Sequence, residues 1–350
     1  MTWDDKIIDE RELRGYQEDE TDQSLEARVA ALMDQQCDTW PVFGEGRGAF
    51  AQIETKRVAI DECEVIVQHN ARRIRSTAAS VDKASVENRR CFLCAENLPP
   101  EEKGIAYGDD LVILCNPFPV LDRHLSIVHR EHVPQQIEGN VETLLSLAAD
   151  LGSSYFVLYN GPESGASAPD HLHLQACSRA ILPIEENLFK DEPALAEDCS
   201  YCEETARNTF ELFTLGGCGR SVVVFRGGNP DEVAHWVYEV IRELAAQTDR
   251  SEPLINIICT YDPRLWTVYL FPRARHRPAS FYAEGESRLV VSPGAIDMAG
   301  VVVVPEREHF EKIDDRRLAA IFSEVSMSNE LVNDLVDGVC SLAEPEELGW

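Results

Sequence analysis

Apolar positions along the chain switch between helical spacing and short strand-like runs. Leu25, Val29, Leu32 and Met33 recur at helical spacing behind Ser24, which predicts a capped helix over Ser24–Gln36. Residues 54–67 read as two strands around a turn near Asp61–Glu62. Further strands are predicted over Leu111–Cys115, Leu125–His129 and Tyr155–Tyr159, with a helix over Val141–Leu151. A loop rich in Gly, Ser and Pro (160–170) leads into an alternating segment, His171–Gln175. In the second half, Val222–Phe225, Leu254–Thr260 and Trp266–Phe271 read as strands and His235–Gln247 as a helix. Helix, strand, loop and strand thus occur at 141–175 and again at 235–271, a weak internal repeat offset by about 95 residues. The second copy lacks the histidines. Val301–Val304 reads as a strand, Arg316–Val336 as one helical stretch, residues 80–90 as a polar loop and 180–205 as an acidic connection. Residues 1–23 read as a loose acidic arm, so the chain divides into that segment and first helix (1–40) and two halves (41–195 and 196–350).

Charge narrows the classes. The 350 residues carry 32 Lys+Arg against 62 Asp+Glu, a net charge of −30, with 44% hydrophobic residues. That hydrophobic share supports a packed core. A balance this negative repels phosphate backbones, so no nucleic-acid partner is expected. The longest apolar run, near Met298–Val304, is too short for a bilayer, so no membrane partner is expected either. The first residues lack the basic and apolar regions of a secretory signal, and the eleven cysteines are irregularly spaced. Both features predict a cytoplasmic protein with reduced thiols. Against this background Arg72, Arg73 and Arg75 form a basic island suited to a polyanionic ligand, or a solvated charged face. Arg273, Arg275, His276 and Arg277 form a second basic cluster, readable as a phosphate contact or a solvated strand end.

The chemistry concentrates in Tyr159–Gln175, YNGPESGASAPDHLHLQ. On a strand, His171, His173 and Gln175 project to one face and Leu172 and Leu174 to the other. Asn160, Gly161, Ser164, Gly165 and Ser167 make a small-residue loop whose N–H groups can approach phosphate oxygens.

These residues resemble the histidine-triad superfamily, in the branch that ends the motif with Gln. That branch holds galactose-1-phosphate uridylyltransferase, diadenosine tetraphosphate phosphorylase and the nucleoside-diphosphate-hexose phosphorylases. The run Asn160–Ser167 is most similar to the phosphorylase version, and Asp170 is an extra residue relative to the uridylyltransferase spacing. Upstream, Arg123–His132 resembles the superfamily's Gly-His-x-Leu-Val-Ile-Pro-Lys-x-His strand, with Arg123 for Gly and His129 for Pro. Asn116 falls where the family places a ribose-binding polar residue, and Arg73 and Arg75 are similar to substrate-binding arginines of the uridylyltransferases. The implied fold is α+β: two tandem histidine-triad-like halves, antiparallel sheets with flanking helices, the second half degenerate. Dimers are common in the branch, so a homodimer is an expectation.

The resemblance implies a nucleotidyltransferase or phosphorylase. His173 would be the nucleophile on the α-phosphorus of a dinucleoside polyphosphate or nucleoside-diphosphate sugar, with His171 and Gln175 beside it. Phosphate or a sugar phosphate would then accept the nucleotidyl group. Gln cannot relay a proton to a leaving group as histidine can, which favours transfer over hydrolysis. Hydrolysis at the same site, or nucleotide binding without turnover, are the alternatives. Cys91, Cys94, His132 and His171 can close a tetrahedral zinc site, and uridylyltransferases carry a structural zinc in this arrangement. Phosphorylase relatives often lack it, so a metal-free reduced pair is the competing reading. The family pattern favours His132 over His129 as the third ligand. Cys199, Cys202 and Cys218 read as ordinary thiols.

Overall fold

Strand side chains alternate between two cores. In a computed structural model, which describes residues 1–15, 24–78, 83–189, 210–217 and 219–342, the chain forms a nine-stranded antiparallel sheet, a three-stranded sheet and surrounding helices. Helices that flank the large sheet include α1 (Leu25–Thr39), α2 (Pro41–Phe50), α3 (Val141–Leu151) and α4 (Pro230–Thr248). Ser24 caps α1 by accepting the Ala27 N–H at 3.2 Å, and Pro41 opens α2 at a position that needs no donor.

The small sheet holds β1 (Glu54–Ile60), β2 (Cys63–His69) and β12 (Val301–Val304), in the order β1-β2-β12. The β1–β2 hairpin turns through Asp61 at φ 52°, and β12 joins it in parallel. The large sheet runs β3 (Gly104–Tyr107), β4 (Leu111–Cys115), β5 (Leu125–His129), β7 (His173–Ser178), β6 (Tyr155–Asn160), β10 (Ile255–Asp262), β11 (Leu265–Pro272), β9 (Val222–Gly227) and β8 (Glu211–Leu215). The unit β4-β5-α3-β6-β7 therefore recurs as β8-β9-α4-β10-β11, and the two meet where β6 pairs β10.

Period-2 alternation sorts the cores. Val157, Tyr159, Ile257 and Cys259 face the helices α1, α3 and α4. Phe156, Leu158, Ile258 and Phe271 face Val65, Val67 and Val301–Val304 of the small sheet. Such strands, buried on both sides, need continuous apolar sequence.

Several expectations change. The strand begins at His173, not His171, because Leu172 and His171 still bond across to Val133 and Ala168. The N-terminal arm is docked where it is described: Ile7 bridges Gly104, Leu13 is buried, and Lys6 is wholly buried with its ammonium on the Leu98 and Pro99 carbonyls. Residues 16–23 lie outside the described residues. Lys83–Glu87 is a short helix inside the expected loop. The C-terminal stretch is two helices, Asp315–Val325 and Asn329–Leu342, interrupted where Ser326 turns extended and bridges Arg273. Cys63 is disulfide-bonded, which corrects the reading of all thiols as reduced. Its partner, like Cys199, Cys202, Cys218 and most of the acidic connection, lies outside the described residues.

Candidate active site and metal cluster

A cavity of about 910 Å³ opens over the first half of the sheet. Its floor follows from strand register. Gly104, Leu114, Ser126 and Gln175 stand opposite one another across β3, β4, β5 and β7, and the last three line the cavity. Two residues on, Asn116 and His124 hydrogen-bond (Asn116 N–H to the His124 carbonyl, 3.0 Å) and line it too. His173 and Asn160 complete the floor.

His173 is held from three sides. Gln135 accepts its N–H at 2.8 Å and donates to its carbonyl at 3.0 Å and to the Asn160 carbonyl at 2.9 Å. The ring Nδ1 lies 2.8 Å from the His171 carbonyl, which can only accept. Nδ1 therefore carries the proton, and the lone pair sits on Nε2. Burial shifts His173 below its ordinary pKa, so the imidazole stays neutral. A neutral imidazole with its free nitrogen toward a cavity is chemically a nucleophile.

Gln175 is oriented by a residue to which the sequence reading gave no role. The Val120 N–H donates to His124 Nδ1 at 3.2 Å, so the His124 proton is on Nε2, and that N–H donates to Gln175 Oε1 at 2.8 Å. With its carbonyl taken, Gln175 has its NH₂ left to donate. Burial, with Arg73 nearby, drops the His124 pKa to about 3, so this polarity persists at neutral pH.

The small-residue loop divides. Asn160, Gly165 and Ser167 line the cavity; Gly161 and Ser164 sit behind it. A Cβ on Gly161 would lie 2.9 Å from the Ile255 carbonyl, and Gly165 needs φ +107° with Gly294 Cα 2.9 Å from its missing Cβ. Asn160 Oδ1 accepts from Asn256 Nδ2 and from the Ala295 N–H, both at 2.8 Å.

Basic groups sit along the cavity. Arg73 lines it, donating to the Phe118 carbonyl at 3.0 Å with Asp297 nearby; the side chain of Arg75 lies outside the described residues. Arg277 and Arg89 line it as well, Arg277 donating to Ser292 Oγ at 2.8 Å and stacking over Phe281 at 4.2 Å. Of the second basic cluster, His276 also faces the cavity. Arg273 is buried instead, donating to Asn256 Oδ1 at 2.5 Å and to the Pro293 carbonyl at 2.8 Å, while Arg275 pairs with Glu324 on the surface. Asp297 accepts the N–H groups of Gly294 and Val303 at 2.9 Å each; burial raises its pKa to about 6 against those bonds.

His171 does not share the cavity. Its side chain turns into a cluster with Cys91, Cys94 and His132, whose ligand atoms all lie within 4.8 Å of one another. Nδ1 of His171 is 3.3 Å from Cys91 Sγ and 3.6 Å from Cys94 Sγ, and His132 Nδ1 is 3.2 Å from Cys94 Sγ. A tetrahedral zinc with S and N ligands at its usual bond lengths separates them by about 3.5 Å. His171 Nε2 donates to the His129 carbonyl at 2.7 Å, which leaves Nδ1 unprotonated toward the sulfurs, the outer bond a metal-ligating histidine requires. His129 turns its own ring onto Glu131 and is outside the cluster. Asp170, the extra residue, faces His132 Nε2 at 3.6 Å and accepts from Arg89 at 2.8 Å. The donor set fits a metal.

The residues the sequence reading passed over, Gln135, His124, Asn256, Arg89 and Glu102, act or stand across long separations. No local pattern marks them.

This geometry defines an α+β protein with two like-ordered sheet units and a cavity over the first. Residues 32–178 match the family model "Domain of unknown function (DUF4922)", and residues 208–346 match "GDPGP1-like, C-terminal domain". Among solved structures, yeast Ap4A phosphorylase Apa2 shares the fold. Its complex with Ap4A superposes at TM-score 0.56 and 16% identity over 85% of this chain and 97% of that one. Its complex with AMP gives 0.55 and 19%, over 84% and 96%. Among curated proteins, none matches the sequence. No helix among the described residues is long and apolar enough to cross a membrane.

Proposed function

We propose that the chain is a nucleotidyltransferase of the phosphorylase kind, working through a covalent nucleotidyl-histidine. The observation that carries this is His173: its Nδ1 is committed to the His171 carbonyl, its Nε2 has no hydrogen-bond partner among the described residues, and it lines a cavity with Gln175, Arg73 and Arg277. Nε2 attacks the α-phosphorus of a dinucleoside polyphosphate or nucleoside-diphosphate sugar. The P–N bond forms, the anhydride P–O bond breaks, and the leaving phosphate keeps the electron pair. Such a leaving group needs no proton, which suits a site with Gln at the third motif position. An oxygen of phosphate or a sugar phosphate then displaces the histidine. Gln175 NH₂ donates to a non-bridging oxygen as charge builds, and the arginines neutralise the rest. Asn160, Gly161, Ser164, Gly165 and Ser167 shape the phosphate end, and Asn116 meets the ribose.

Zinc at Cys91, Cys94, His132 and His171 belongs to the same reading. Bound there, it would fix the start of the β7 strand by coordination and supply no chemistry to the substrate. His171 then acts as a ligand, and its catalytic contribution is the backbone carbonyl that sets the His173 tautomer. The free thiols of Cys91 and Cys94 suit a cytoplasmic setting, and the homodimer implied by the resemblance is read by light scattering.

The test is turnover of a nucleotide-sugar and dinucleoside-polyphosphate panel with and without phosphate. Product that depends on the acceptor and falls by about 10³-fold or more in His173→Ala supports transfer. Product at the same rate without acceptor would make the chain a hydrolase.

A further inference from the structure

One cavity arginine keeps most of its donors unused. Arg89 lines the cavity together with Ser167 and His173. Both of its hydrogen bonds leave from Nη2, one to Asp170 Oδ1 at 2.8 Å and one to the Ser167 carbonyl at 3.4 Å. A guanidinium carries five N–H donors, so those on Nε and Nη1 meet no acceptor among the described residues. The other cavity arginines are tied to other walls. Arg73 donates to the Phe118 carbonyl, and Arg277 to Ser292 Oγ and the Thr77 carbonyl.

The orientation of Arg89 is set in advance. Asp170 holds one end of the fork, and the other oxygen of Asp170 faces His132 Nε2 at 3.6 Å. The guanidinium stacks over Phe92, 5.1 Å from the ring centre, and Phe92 lines the cavity too. Donors of a largely buried cation are costly to leave unmade. A fixed fork with open N–H groups on a cavity wall therefore points to an anion that completes it, and its planar spacing matches two oxygens of a phosphate.

Strand direction decides which phosphate. From His173, β7 runs to Gln175, which meets Ser126 and His124, the side where Asn116 stands. That is the nucleoside side. Ser167 and Asp170 precede the strand, so Arg89 stands on the other side of the nucleophile. In an in-line displacement the attacking and leaving groups lie on opposite sides of phosphorus. Nε2 of His173 attacks from one side, and the leaving phosphate departs on the other with the P–O electron pair. In the second displacement the entering phosphate oxygen comes in where the first group left. A P–O bond forms, the P–N bond breaks, and its electron pair returns to Nε2. The departing and entering phosphates thus share one subsite, next to the α-phosphorus and away from the nucleoside. We propose that Arg89 binds the phosphate in that subsite, with Asp170 as its positioning residue. This rests on reading the cavity as a nucleotidyl-transfer site.

Calorimetry on the full chain tests it by comparing the monophosphate and diphosphate of one base: AMP with ADP, UMP with UDP, GMP with GDP. The diphosphate carries the phosphate that Arg89 holds, and the monophosphate lacks it. For each base that binds, the unmodified protein should prefer the diphosphate by about 10- to 100-fold, the range of a charge-assisted bond or two. Arg89→Met should remove most of that preference and leave the monophosphate affinity unchanged. Arg89→Lys, which keeps the charge and gives up the fork, should fall between. In turnover, the KM for the phosphate or sugar-phosphate acceptor should rise by a similar factor in Arg89→Met. No diphosphate preference in the unmodified protein, a preference untouched by Arg89→Met, or equal weakening of both nucleotides would overturn the assignment. If Arg89→Met fails to fold, Arg89→Lys decides: a lowered ratio supports the assignment and an unchanged ratio overturns it. A preference lost in Arg89→Met, in a protein that never forms an adduct on His173, would leave Arg89 standing and remove the transfer reading. An adduct on His173 beside an untouched preference would do the reverse. Binding of no nucleotide would overturn both.

Discussion

Two histidines are fixed in opposite tautomers by the same device, a backbone group that can play one role only. A carbonyl forces the proton onto His173 Nδ1, and an N–H forces it off His124 Nδ1. The first leaves a nucleophilic Nε2; the second makes His124 Nε2 a donor that holds Gln175 by its oxygen. If His124 acts through Gln175, the two substitutions are coupled. Gln175→Ala should lower kcat by about 10²-fold with little change in KM, in the range of one lost transition-state donor. His124→Ala should lose part of that alone and nothing further in the Gln175→Ala background. Additive losses would show that His124 acts separately. The same burial sets a pH response. His124 has a folded pKa of about 3 against 6.5 for the free side chain, so below pH 6.5 the unfolded chain takes up a proton that the native chain refuses. Stability should be flat above pH 7 and Tm should fall as pH drops from 6.5 toward 3. In His124→Gln that slope should be shallower.

At the scale of elements, the β7 strand links the two chemistries. His171, before its first residue, faces the Cys/His cluster, and His173, its first residue, faces the cavity. Metal content is therefore checkable by elemental analysis, with close to one zinc per chain expected in the unmodified protein. Cys91→Ser should lose it and lower Tm, and a strong chelator should reproduce the loss. Unmodified protein purified without metal, with unchanged Tm in chelator, would favour a reduced thiol pair. The motif itself was legible because alternation and small-residue loops are local: His173, Gln175, Asn160 and the Cys91–Cys94 pair all follow from neighbours in sequence. His171 was placed with His173 by the same alternation. It lies before regular pairing begins at Val128–His173, and its ring meets Cys91 and Cys94 instead. Gln135, His124 and Asn256 were not legible, since their roles come from contacts 25 to 96 residues away.

At the scale of the whole molecule, the second copy supplies support where it lacks the paired motif histidines. Arg273 holds Asn256, and Asn256 holds Asn160 across the β6–β10 seam. The recurring strand order was visible in hydrophobic spacing, whereas the seam was not, because pairing partners are a three-dimensional choice. The net charge of −30 and the arginine-lined cavity fit together if the surface repels anions generally and the cavity admits them selectively. All of this converges on a covalent intermediate. The most direct measurement is intact-mass spectrometry of the protein mixed with nucleoside-diphosphate sugars and dinucleoside polyphosphates in the absence of phosphate. The account predicts a nucleoside-monophosphate adduct that vanishes in His173→Ala and is discharged by added phosphate or sugar phosphate. Acceptor-dependent turnover by a protein that shows no adduct under rapid quenching, or an adduct that survives in His173→Ala, would contradict it.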